Sequence, residues 1–182
     1  MATHLIRILA VAGLACLSPY LAHAQSSGAN GSGDMAGSKD GEARSAIEQC
    51  LAGAGAQDPQ SCIGTYAQSC GESEEGQTTQ GMTDCIGQET DAWDALLNEN
   101  YEARMTEAKS LDAERDAEGV LSDNEAAPLL RKAQRAWIAY RDAECDRIFE
   151  LSKDGTIRLP ETASCTNRLT AERALALGDD QP

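Results

Sequence analysis

Histidine, phenylalanine and long apolar runs are scarce in this chain. Its 182 residues include two histidines, His4 and His23, and one phenylalanine, Phe149, and aromatic residues make up 4%. Both histidines fall within the first 24 residues, in a segment that reads as a cleaved leader, so the remaining chain has no imidazole. That excludes any catalytic triad or dyad with His as its base. CxxC, HExxH, a Gly-rich phosphate loop and a calcium-loop pattern are all missing. A zinc site would need cysteines alone, at spacings that do not suit one, so neither metal nor cofactor is expected. No segment alternates apolar and polar residues as a strand does, and the shortage of large aromatics predicts a thin hydrophobic core. Basic residues are few as well, with 15 Lys and Arg against 30 Asp and Glu, a net charge of −15. Nucleic acid and anionic membrane surfaces are poor partners for such a chain. Basic proteins and cations are better ones, although solubility alone also accounts for the charge.

Among the features present, the first is the leader. Arg7 gives a positive start, Ile8 to Leu21 is mostly apolar, and Ala22-His23-Ala24 is a small-x-small cleavage site. Residues 1–24 therefore read as a secretory signal peptide cleaved before Gln25, which implies a periplasmic or secreted protein. The apolar run is too short to span a bilayer and Pro19 interrupts it, so no stable membrane insertion is expected. Cys16 would suit a lipoprotein, but Gly13 stands where a lipobox has Leu. Without the leader, 14 basic and 30 acidic residues remain, a net of −16. Six cysteines remain too: Cys50, Cys62, Cys70, Cys85, Cys145 and Cys165. An even count in an exported chain implies disulfides. Locality favours Cys50 with Cys62, Cys70 with Cys85 and Cys145 with Cys165, although spacing alone does not fix the connectivity.

Residues 25–41 are Gly/Ser-rich and read as a disordered linker. Residues 42–70 read as a Cys-stapled helical hairpin. Its first helix sets Ala43, Ile47, Cys50 and Leu51 on one face, and Gly53 and Gly55 end it. Asp58-Pro59 starts a second short helix carrying Cys62, Tyr66 and Cys70. Neither helix is long enough to stand alone in water, a physical reason for a staple.

Residues 71–178 read as the main helical domain and 179–182 as a polar tail. Thr78 or Thr79 caps a helix running from about Gln80 to Ala117, with Ile86, Trp93, Leu97, Tyr101, Ala108 and Leu111 on its apolar side. Arg104 falls on that side and needs a partner or a route to solvent. Gly81 and Gly87 weaken its first turns. Ser122 to Glu125 has the capping-box form, and Pro128 places the start of the next helix no earlier than Asn124. That helix, to about Ser152, has Ala133, Trp137, Tyr140 and Ile148 at helical spacing and reads as the seam around which the rest is arranged. Arg141 lies along this seam beside a solvent-facing Asp142. After Lys153-Asp154-Gly155 and Pro160, a last helix runs from Glu161 to Leu177 with Cys165, Leu169 and Ala176 on one face. The expected fold is all-α, three longer helices in an up-down arrangement with the hairpin appended and disulfides supplying much of the stability.

Negative charge is uneven along the chain. Residues 71–118 hold 14 acids and three bases, a net of −11, and residues 119–182 hold 11 acids and nine bases, a net of −2. The acidic loop (Glu72, Glu74, Glu75) and an outer stripe (Asp84, Asp91, Glu99, Glu102) are the candidate binding residues, able to steer a basic protein into contact. Two carboxylates could in principle hydrolyse a cell-wall glycan, but with 30 acids some pair will lie at a suitable distance by chance. The chain reads as a binding protein rather than an enzyme, with an envelope scaffold of unknown partner and a carboxylate-based hydrolase as alternatives.

The order MTDC at Met82–Cys85, then Trp93, Leu97, Asn98 and Tyr101, then AQRAWIAYRDAEC at Ala133–Cys145, then Cys165, Leu169, Thr170 and Arg173 resembles the LprI-like lysozyme-inhibitor family. The resemblance spans about Cys70 to Leu177. It implies an all-helical periplasmic or secreted domain with bridged cysteines, and the family name implies inhibition of a basic lysozyme-like muramidase. The hairpin with Cys50 and Cys62 lies outside the pattern, and the Cys70–Cys85 gap is longer than usual for it.

Overall fold

A computed structural model describes the chain over residues 34–120 and 125–179. The expected leader, the first part of the expected linker, the Ser122 end of the expected capping box and the last tail residues lie outside the described residues. The helices are α1 (Asp34–Ala52), α2 (Thr65–Gly71), α3 (Thr79–Ala117), α4 (Ala126–Ser152) and α5 (Arg158–Asp179). Two 3-10 turns, Ala54–Ala56 and Pro59–Cys62, separate α1 from α2, and no strand occurs among the described residues. The fold is all-α, with α3, α4 and α5 running up, down and up.

The organising element is α3. Cys85, Glu89, Ala92, Trp93, Leu97 and Met105 are buried along it, and its most extensive interface is with α5. Ala92 of α3 and Ala171 and Ala174 of α5 let the two backbones approach, with Trp93, Leu97 and Leu177 filling the space around them. Ala43 and Ile47 of α1 close this core from a third side. Thr78 caps α3, its hydroxyl accepting the Gly81 N–H at 2.9 Å. Gly81 has a positive role here, because a Cβ would run into the Glu75 carbonyl as the acidic loop folds back over the first turn.

The helix with Trp137, α4, is peripheral, which overturns the expectation that it is the central seam. Ala133 and Tyr140 are exposed, Tyr140 to 55%, and Trp137 is half-buried at the edge of the Trp93 core. The buried residues of α4 are Ala127, Gln134 and Cys145, with Leu130, Trp137, Arg141 and Ile148 half-buried between them. These positions are spaced by three or four residues, a narrow coiled-coil-like line. Following the aromatics rotates the line onto Ala133 and Tyr140; admitting Gln134 and Arg141 puts it where α5 lies. The polar members are satisfied in place. Arg173 Nε of α5 donates to Gln134 Oε1 at 3.0 Å, and Arg141 lies 5.1 Å from the Trp137 ring centroid while pairing with Asp142.

Smaller differences have local causes. Leu111 is exposed because α3 runs parallel to α5 and continues past its end: Glu89 meets Asn167, Asn100 meets Ala174, and beyond them α5 no longer covers α3. Arg104 on the same stretch pairs with Glu107. Ala176 is exposed, since α5 buries Leu169 and Cys165 on one side and Ala171, Ala174 and Leu177 on the other. The N-terminal helix begins at Asp34 rather than near Glu42, as expected when the turns packed through Ala43 and Ile47 bear the cost of nucleation and extension adds one hydrogen bond per residue. The single helix expected after Pro59 is broken at Gly64, whose φ of 88° is accessible to glycine. Asp58 does not cap it through its side chain.

Three disulfides join Cys50 to Cys62, Cys70 to Cys85 and Cys145 to Cys165, with Cα separations of 5.8, 5.7 and 5.6 Å. Locality favours the same pairs. The first closes the turn from α1, the second ties α2 to α3, and the third joins α4 to α5.

Candidate functional site

Neither α2 nor α4 has a side-chain hydrogen bond from its own N-cap. Both take that bond from α3. Glu89 of α3 is fully buried, and its carboxylate accepts from Gly64 N at 2.6 Å and Ala67 N at 2.8 Å, the first donors of α2. It also accepts from Trp93 Nε1 and Asn167 Nδ2, each at 3.0 Å. Four donors and the positive end of a helix surround one carboxylate, so the cost of burying it is met locally. Twenty-three residues further along, Asp112 accepts from Ala126 N at 2.7 Å and Ala127 N at 2.9 Å and caps α4. These bonds, that to Ala127 first, hold the Asp112 carboxyl below its ordinary range. The first turn of α4 is thus served by Asp112, with Glu125 as the N-cap residue.

Fixing α2 in this way creates an open groove of about 1080 Å³. Ile63 and Ala67 form one wall, Met82 and Ile86 of α3 the next, and Leu151 and Ile157 at the α4–α5 corner the far side. Gly64, Ala67 and Asn167, all Glu89 partners, line it. Leu151 is 72% exposed and Ile157 50%. Glu72 and Glu161 also line the groove; Glu161 accepts from the Ser152 hydroxyl. Among the described residues Arg168 is the one basic residue of the lining, and it pairs with Glu172 at 3.0 Å.

The seven acidic candidates are all exposed, but they do not converge. Glu72, Glu74, Glu75 and Asp84 gather where the α2–α3 loop folds over the start of α3. Glu75 and Asp84 share a recess of about 330 Å³ beside the Cys70–Cys85 bridge. Asp91, Glu99 and Glu102 continue along α3, and Glu102 lies roughly 27 Å from Asp84 at the helical rise. Glu99 is already engaged: Arg44 of α1 grips it with two nitrogens, at 3.1 and 2.8 Å. That grip holds the Glu99 carboxyl below its usual range and raises Arg44 in turn. Of the core candidates, Trp93 and Leu97 are buried, Tyr101, Trp137 and Arg141 half-buried, and Tyr140 is not part of the core. No group of three or more His, Cys, Asp or Glu able to hold a metal occurs among the described residues.

Reading the sequence for apolar stripes misses Glu89, Asp112, Asn167 and Gln134. A signal for Glu89 exists: it sits one turn before Trp93 on the stripe through Ile86 and Leu97, where a carboxylate needs donors. Asp112 carries no comparable signal, because its partners are backbone amides of another helix.

A family model described as lysozyme inhibitor LprI matches residues 70–177. An uncharacterized protein of Rhizobium meliloti (strain 1021) is 33% identical over 98 residues, covering 51% of this chain. The match spans 66% of that protein, just under two thirds of its length. No solved structure matches. The family span contains α3, α4, α5 up to Leu177 and two of the three disulfides, and leaves out α1, both 3-10 turns and most of α2.

Proposed function

The chain belongs to the LprI lysozyme-inhibitor family, and from that premise we propose that it is an exported binding protein that inhibits a basic lysozyme-like muramidase. The carrying observation is the family match across residues 70–177, which takes in all of α3 and α4 and all but the last two residues of α5. Three disulfides support export, since such bridges persist in oxidising compartments. Among the described residues no helix is long and apolar enough to cross a membrane.

Inhibition here is a matter of occupancy, with no chemical step. A scaffold cross-linked at three places loses little conformational freedom on binding, which favours affinity. The negative charge concentrated in residues 71–118 draws a basic enzyme in and orients it. Glu72, Glu74, Glu75 and Asp84 carry most of this steering. Asp91 and Glu102 contribute at longer range, and Glu99 less, because Arg44 offsets it.

The test is turnover of cell-wall glycan by a purified basic lysozyme, with and without the oxidised protein lacking residues 1–24. Inhibition is expected, weakening as the Debye length shrinks from about 30 Å at low salt to about 8 Å at physiological salt. No inhibition at any salt removes the reading. Inhibition that ignores salt removes its electrostatic part. Release of reducing ends by the protein alone would mean that it is a hydrolase instead.

A further inference from the structure

The groove between α2 and the α4–α5 corner is not explained by the family span. One of its walls, Ile63 and Ala67, lies before residue 70. That wall is held by hydrogen bonds from Gly64 and Ala67 to Glu89, so it is a built surface rather than a gap between loosely packed elements. Opposite it, Leu151 and Ile157 stand exposed among the described residues. Leaving both in water costs free energy that a partner recovers on binding.

The charges around the groove select the partner. Glu72 and Glu161 line it at different elements, Glu74 and Glu75 follow Glu72 on the same loop, and Arg168, the lone lining cation among the described residues, pairs with Glu172. An acidic segment would be repelled, and an uncharged one gains nothing from the rim. We propose that this groove is the docking site for an apolar segment of a basic protein, flanked by Lys or Arg, with the segment before residue 70 acting as the specificity-determining wall. The inference rests on the reading that the partner is a basic protein, and it adds where and through what chemistry that protein is held. Apolar side chains enter against Ile63, Met82, Leu151 and Ile157, while the flanking cations meet Glu72 and Glu161.

The experiment uses the full oxidised chain without its leader and two probes, a short leucine-rich peptide flanked by lysines and the same peptide flanked by glutamates, read by fluorescence anisotropy. The lysine-flanked peptide is expected to bind and the glutamate-flanked one to bind at least about tenfold more weakly. Leu151→Asp discriminates further. It adds an acid, so attraction between charges alone predicts tighter binding of the lysine peptide, whereas docking of apolar groups predicts a loss of about tenfold or more. Ile157→Asp gives a second, independent variant, and unchanged helicity and melting verify that each is folded. Equal binding of both peptides, binding of neither, or tighter binding by both Asp variants overturns the proposal. The muramidase reading fails separately. If the lysine peptide docks as expected but lysozyme is not inhibited, the groove stands and the enzyme partner falls. If lysozyme is inhibited equally by the native chain and both Asp variants, the groove falls and the inhibitor stands.

Discussion

Along one side of α5, Asn167, Ala171, Ala174 and Leu177 are buried against α3 and α1; along the other, Cys165, Leu169 and Arg173 meet α4. The first side is held by burial around Trp93 and by the Glu89 hub. The second has three buried apolar residues, two of them the halves of a disulfide, and a Gln134–Arg173 hydrogen bond. A chain poor in large apolar residues has concentrated them in one interface and used a covalent link in the other. Disulfide stapling, expected throughout, is therefore most consequential at the α4–α5 contact.

The largest expected effect comes from attacking the first side. Trp93→Ala removes a fully buried ring and a donor to Glu89, and is expected to cost about 3–5 kcal/mol in urea unfolding of the oxidised protein. Tyr140→Ala, on the exposed face of α4, is expected to stay within about 0.5 kcal/mol. Equal losses for the two would mean that α4 carries a core of its own and would erase the contrast.

Why one aromatic could be placed from the sequence and the other not follows from the same contrast. The α3 stripe is wide and mostly apolar, so helical spacing places Trp93 and Leu97 correctly. The α4 line is narrow and contains Gln134 and Arg141, so apolar spacing slides onto Tyr140. Helix identities and most ends were legible, because Thr78, Gly119 and the Lys153–Gly155 turn are local signals. The three bridges were legible as near neighbours in sequence. The groove was not, because its walls come from four segments and depend on Glu89, whose partners lie 22 to 78 residues away except for Trp93. The acidic candidates were legible as exposed residues, but Glu99 and its Arg44 partner are 55 residues apart, so its engagement was hidden.

Next in size is the second side. Cys145→Ser with Cys165→Ser opens a loop of sequence separation 20 and is expected to cost about 3 kcal/mol by the loop-entropy relation. The loss should appear mainly as early exposure of α4 in hydrogen exchange, with protection at Trp93 and Leu97 persisting. Simultaneous loss of protection in both regions would show that the Trp93 interface depends on the bridge.

The far end of α4 makes a gentler probe. The Asp112 carboxyl is held below its ordinary value by the Ala127 and Ala126 amides. A lowered folded pKa means that its contribution is fully present above the unfolded value, about 3.9, and is lost as pH falls through the folded one. Asp112→Asn is therefore expected to remove part of the acid-side fall in stability and to leave a small, pH-independent deficit near neutrality. A melting profile against pH that keeps its full acid slope in the variant would show that another carboxylate governs it.

The smallest effect should have the opposite sign. Thr170 is fully buried on α5, and its hydroxyl finds no hydrogen-bond partner among the described residues. It shares the face of Asn167, Ala174 and Leu177 by helical rotation, so the α3–α5 interface, otherwise the better packed of the two, carries an unsatisfied polar atom. Thr170→Val keeps the branching and nearly the volume while removing that atom, and is expected to raise stability by about 1 kcal/mol. A gain read as a higher urea midpoint at unchanged slope would place the defect in the folded state. A loss instead would mean that the hydroxyl is bonded, to a buried water for example, and that this interface is satisfied by polar contacts to the same degree as its neighbour.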